Sequence, residues 1–151
     1  MNPDAVGDVR QLIALWGTMH DAIIRHVAEE CGEGRLKRAL YEPLRQLGKA
    51  AAQSQAATAA EIGRAIMGLE TLWEIEGRLV EENPQRFVRQ VTYCPWSHFA
   101  PLSCRVFGWW VEGLCQGMNS RFVYRLDRLI PEGAQTCQWS ISEQDAVVTG
   151  A

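Results

Sequence analysis

The segment Tyr93-Cys94-Pro95-Trp96-Ser97-His98 sets a thiol four residues before an imidazole. A thiolate attacks where a thiol does not, and a nearby imidazole or helix N-terminus lowers the thiol pKa. Cys94 is therefore a candidate nucleophile and His98 its proton partner. The loop leads into a helix expected to begin at Ser103, whose free N–H groups favour anions. Lone cysteines are also common as small buried hydrophobes, so packing is the competing reading.

Cys104 and Cys115 fall on that same helix. Eleven residues bring them back to nearly one face, but a rise of about 1.5 Å per residue separates them by roughly 16 Å. They can share neither a metal nor a disulfide. Cys104 sits in the first turn, where the helix dipole favours a thiolate, whereas Cys115 sits in the last turn and reads as core. Cys137 lies on a strand beside Trp139 and Ile141 and reads first as packing. Glu112, the one acid of the helix, is a candidate general acid/base, with a solvated position as the alternative.

Between Arg86 and Arg128 the chain has six arginines, no lysine and two acids (Glu112 and Asp127), a local charge of +4 within a net charge of −3. Arg89, Arg105 and Arg125 could hold a carboxylate in bidentate fashion, or be solvated edges of their elements. Trp96, Phe107, Trp109, Trp110 and Trp139 form an aromatic group that reads as core or as the wall of a small-molecule pocket. A metal site from Cys94, His98, Cys104 and Cys137 is a further alternative, for zinc or iron. Their spacing matches no compact Cys-x-x-Cys pattern, and no cofactor is predicted. No phosphate loop, dinucleotide fingerprint or serine elbow occurs.

These residues need elements to position them. Leu12, Leu15, Trp16, Met19, Ile23 and Val27 recur as one helical face, opened by Asn2-Pro3 and closed at Cys31-Gly32 and Gly34. An exposed face on this helix could support a dimer. A second helix carries Leu36, Leu40, Leu44 and Leu47, with Pro43 kinking it or starting a new turn. The tract from Ala50 to Ala57 continues it or forms a connector. Thr58 with Glu61 is a capping box opening a third helix through Ile62, Ile66 and Leu69.

The period then becomes two. Trp73, Ile75, Gly77 and Leu79 predict a half-buried strand, and Phe87, Arg89, Val91 and Tyr93 a second, joined through Asn83-Pro84. Ser103 is expected to cap a helix to about Met118, with Asn119 as its C-cap. Arg121–Leu129 and Thr136–Ser142 predict a second hairpin about Pro131-Glu132-Gly133, and the chain beyond Gln144 reads as a frayed tail. The expected architecture is α+β: N-terminal helices packed on a small antiparallel sheet of two hairpins with a helix between them. One domain spans 1–151, with a helical half (1–70), a hairpin-helix-hairpin half (71–142) and a tail (143–151).

The run Val91-Thr92-Tyr93-Cys94-Pro95, a cysteine-bearing helix, and the strand Gly133-Ala134-Gln135-Thr136-Cys137-Gln138-Trp139-Ser140-Ile141 together resemble the L-2-amino-thiazoline-4-carboxylate hydrolase family, and more distantly 4-vinyl reductase-type small-molecule-binding domains. The resemblance covers about residues 70–142. It implies a cysteine-dependent hydrolase that opens a C–N bond of a small carboxylated heterocycle or amidine, with Cys94, Cys104 and Cys137 matching the family's cysteines. Family members often carry an acid soon after the middle cysteine. Here Arg105, Val106 and Phe107 follow Cys104, which moves the acid/base role to Glu112 or removes it.

Composition excludes other classes. No basic-then-apolar leader and no long apolar run is present, so a cytoplasmic protein without membrane association is expected. The modest basic charge, with no binding motif, argues against nucleic acid. The expected partner is a small-molecule substrate or ligand, with a homo-oligomer as a further option. The alternatives to a hydrolase are a non-catalytic binding domain with an aromatic pocket and a Cys/His metal protein.

Overall fold

The computed structural model describes residues 3–51 and 57–144, with the side chains of the first helix at Val9 and from Gln11 onward. The expected cap at Asn2, most of the Ala/Gln/Ser tract and the tail beyond Gln144 lie outside the described residues. Three helices come first: α1 (Pro3–Cys31), α2 (Glu33–Ala51) and α3 (Ala59–Leu72). There follow β1 (Glu76–Glu82), β2 (Arg86–Tyr93), α4 (Pro101–Met118), β3 (Phe122–Arg128), a single 3₁₀ turn (Ile130–Glu132) and β4 (Cys137–Glu143). The expected α+β architecture is the one observed.

Both hairpins join one antiparallel sheet in the order β1-β2-β4-β3. The central pair aligns Phe87 with Ile141, Arg89 with Trp139 and Val91 with Cys137. This register stacks the inward side chains of two strands into one buried layer. Phe87, Val91, Trp139 and Ile141 meet Ile62 and Ile66 of α3 in the main core. Phe87 and Trp139 stack with ring centres 5.4 Å apart.

Local chemistry explains the helix boundaries. Thr58 and Glu61 make the capping box reciprocally: the Thr58 backbone N–H donates to Glu61 Oε2 at 2.7 Å, and the Glu61 N–H donates to Thr58 Oγ1 at 3.3 Å. Gly32, with φ of 80°, ends α1 in the left-handed region that glycine enters without penalty. Helices α2 and α4 approach closely because Gly48, Gly113 and Gly117 lack side chains. A Cβ on Gly117 would overlap the Arg45 carbonyl.

Two expectations are corrected. The strand expected from Trp73 begins only at Glu76, because α3 runs to Leu72 and Trp73 is its C-cap. Most of β1 is exposed on both faces, so its alternation did not reflect a buried side. Ser103 does not cap α4: the helix starts at Pro101 with Ala100 as N-cap, and Ala100 offers no side-chain acceptor. Proline fits the first helical position because its missing N–H would be unpaired there anyway. The stabilising acid comes from α1, where Asp21 Oδ1 accepts from Ser103 Oγ at 2.6 Å and from the Ala100 N–H at 3.2 Å.

Candidate functional site: an apolar cavity with three thiols

A partly open cavity of about 110 Å³ lies between the inner face of the sheet and helices α1, α3 and α4. A water needs roughly 10–15 Å³, so the space admits several waters or a small organic molecule. Its walls are mainly aromatic and aliphatic. Trp73 and Trp96 pack on Phe107 at 4.7 and 5.0 Å between ring centres, and Trp16 reaches Trp96 at 5.7 Å.

Three cysteines open on this cavity: Cys94 at the end of β2, Cys104 on α4 and Cys137 at the start of β4. The Val91–Cys137 register brings the third thiol to the level where β2 ends and the Cys94 loop begins. Burial dominates their chemistry. It pushes the Cys94 thiol up to about 11 and the Cys104 thiol up to about 12, and it raises Cys137 as well. The helix dipole was expected to favour a Cys104 thiolate. Desolvation outweighs it, and all three are thiols at neutral pH. Cys137 accepts a hydrogen bond from the Ile130 N–H at 3.2 Å. Cys115 is wholly buried in the core, as expected, with its thiol held high, to about 12, by the same desolvation.

The polar groups on the cavity are few. Ser103 is taken up by Asp21. Glu70 of α3 is buried, with one oxygen accepting from Trp139 Nε1 at 2.7 Å and the other from Arg89 Nε at 3.1 Å. Burial raises the Glu70 carboxyl, and the bonds from Trp139 and Arg89 oppose that shift. His20 of α1 stacks on Trp16 at 4.7 Å and meets the edge of Trp110 at 5.3 Å. Burial lowers its pKa and keeps the imidazole neutral, against a smaller opposing pull from Asp21. Trp110 Nε1 is a buried donor with no acceptor among the described residues.

Cys94, Cys104, Cys137, Trp96 and Trp139 thus come together on the cavity. The other candidates do not join them. His98 is exposed in an outer groove that it shares with Cys94, its ring against Phe99 at 4.3 Å. Glu112 lies in a different groove, paired with Lys37 at 3.0 Å, and Arg105 in the same groove pairs with Glu132 at 3.3 Å. Arg89 is beneath the cavity, held by Glu70, and Arg125 is exposed on β3. Among the described residues, no three His, Cys, Asp or Glu side chains are arranged to hold a metal ion, the Cys94/His98/Cys104/Cys137 set included. No helix among them is long and apolar enough to cross a membrane.

The sequence assigns no role to His20 or Glu70, and it marks Trp16 and Trp73 only as members of a helical face and of an expected strand. Glu70 had a legible signal: it follows Ile62 and Ile66 at four-residue steps, an acid on the apolar face of its helix. His20 had only its place in a long apolar helix, which does not tell which face meets a cavity.

No protein-family model and no curated protein matches the chain. Solved structures do resemble it. A trafficking protein particle complex subunit 3 from Naegleria fowleri, covalently bound to palmitic acid, superposes with a TM-score of 0.62 at 8% identity, over 88% of this chain and 95% of that one. The phenol-responsive sensory domain of the transcription activator PoxR, solved with phenol, gives a TM-score of 0.48 at 12% identity, over 87% and 74%. What the chain shares with the trafficking subunit is the fold.

Proposed function

We propose that the chain is a binding domain for a small, largely apolar molecule held in the cavity between α1, α3, α4 and the sheet. The observation that carries this reading is the cavity itself: aromatic and aliphatic walls with few polar groups, most of them already engaged. Ligand sites are concave and mostly apolar, with a small number of groups that fix orientation. The neutral imidazole of His20 suits that role, since its described partners are aromatic rings. The trafficking subunit with the same fold carries palmitic acid, an apolar guest, which supports an apolar ligand here.

Thermal melts and calorimetric titration with toluene (flat) and decanoate (a chain with an acid head) test the reading. At a ligand concentration near 100 times Kd, linkage adds about 2.7 kcal/mol and raises Tm by roughly 5–10 °C. The gain should persist in the Cys94→Ser/Cys104→Ser/Cys137→Ser variant. No saturable binding of either probe would contradict it.

The convergence of three thiols on one cavity favours a second reading, the cysteine-dependent hydrolase of small heterocycles that the sequence resembles. Cys94 Sγ would add to the carbon of the C–N bond, its proton passing to the nitrogen as that bond breaks, and water would then release the carbon from sulfur and restore the thiol. The raised thiol pKa values weigh against it, because a protonated thiol is a poor nucleophile. Hydrolysis of 2-amino-thiazoline-4-carboxylate that is lost in Cys94→Ser would establish this reading over the first.

A further inference from the structure

Helix α1 carries two apolar faces where a surface helix needs one. Gly17, Asp21 and Ile24 turn toward the body of the domain. About 150° around the helix, at about 100° per residue, Leu12, Leu15, Trp16, Met19 and Ile23 form a second stripe. These five side chains are between 43% and 65% exposed. Together with Val9 they present on the order of 600 Å² of apolar surface, at the top of what monomers leave bare and near the ~800 Å² per partner of a standard interface.

The stripe is continuous with the cavity. Among the described residues lining that cavity, only Trp16 and Leu69 are exposed, so they mark its mouth. Leu72, one turn beyond Leu69, is 71% exposed. Whatever covers the stripe also covers the mouth.

We propose that the occupant is a second copy of this chain: the stripe from Leu12 to Ile23 is the seam of a two-fold homodimer whose formation covers Trp16 and closes the cavity. Charge decides among occupants. From Gln11 to Ile24 the titratable side chains are His20, which lines the cavity and is kept neutral by burial, and Asp21, which is turned inward to Ser103. Helices that lie on membranes carry lysine and arginine along their polar face, and this stretch has none. An isologous contact sets identical patches together, and a patch without charge does so with no like-charge repulsion. Thr18 and Ala22, both small, border the stripe on one side, which lets two helices approach closely.

Sedimentation velocity on the full chain, with no ligand present, tests this independently of whether the cavity binds anything. The chain should sediment at twice 17.0 kDa at micromolar concentration. Leu15→Arg/Ile23→Arg, and the milder Leu12→Gln/Ile23→Gln, should raise the dissociation constant at least tenfold while circular dichroism shows them folded. Acrylamide quenching, with Trp16→Phe isolating the Trp16 signal, should fall severalfold from monomer to dimer. A wild-type chain that stays monomeric, including one that instead sediments with phosphatidylglycerol vesicles, would overturn the proposal. So would a dimer indifferent to both variants, or Trp16 equally quenched in both states.

Discussion

Asp21 of α1 accepts a hydrogen bond from Ser103 Oγ of α4 at 2.6 Å, and this contact fixes the helix that covers the cavity to the helix that forms its wall. The same carboxylate takes the Ala100 N–H and the Arg25 guanidinium. It supplies the negative charge that the α4 N-terminus lacks from its own residues.

Asp21→Asn should lower stability at pH 7 by about 1–2 kcal/mol, the size of a lost cap with its hydrogen bonds. Burial pushes the Asp21 carboxyl up, but the bonds from Ser103, Ala100 and Arg25 outweigh it and hold the pKa below the usual value. Its contribution is thus present above the unfolded pKa of about 4 and lost as pH falls through the folded value. Urea unfolding of the two proteins should differ at pH 7 and converge near pH 2.

The buried pair under the cavity gives a second test. Arg89→Met or Glu70→Gln alone should cost about 3 kcal/mol, because each strands a charge or its bonding partner in an apolar site. The double variant should cost clearly less than the sum of the two. Additive single effects would show that Glu70 and Arg89 do not act as a pair.

The thiols give a third. With Cys94 near 11 and Cys104 near 12, iodoacetamide should modify both slowly at pH 7–9, and faster only as pH approaches those values. Since these pKa values are raised, the stability from burying the thiols is present below the unfolded pKa of about 8.5 and is lost as pH rises through the folded ones. Mass-spectrometric labelling against pH checks both residues; rapid labelling of Cys94 at pH 7 would favour the hydrolase reading.

Two glycine substitutions separate packing from propensity. Gly117→Ala would press a Cβ into the Arg45 carbonyl of α2 and should cost about 1–3 kcal/mol. Gly68→Ala, in α3 with open space around it, should instead stabilise by about 0.5–1 kcal/mol. Thermal melts give both signs.

What the sequence revealed follows the range of the forces involved. Thr58 and Glu61 are three residues apart, so their capping box was legible and the structure forms it. The separation of Cys104 from Cys115 followed from helix geometry, and Cys115 is indeed core. Ser103 misled, because the acceptor it serves is Asp21, 82 residues away. The convergence of Cys94, Cys104 and Cys137 depends on the β2–β4 register, and no local spacing encodes that register. His98, near Cys94 in sequence, points to an outer groove, whereas His20, distant in sequence, lines the cavity.

Amide chemical-shift mapping on the full chain during a toluene titration tests the central claim most directly. The account predicts saturable shifts at His20, Glu70, Cys104, Phe107 and Trp139, which line the cavity. It also predicts their loss in Val111→Phe, which fills that space. Shifts that are absent, that never saturate, or that persist unchanged in Val111→Phe would contradict it.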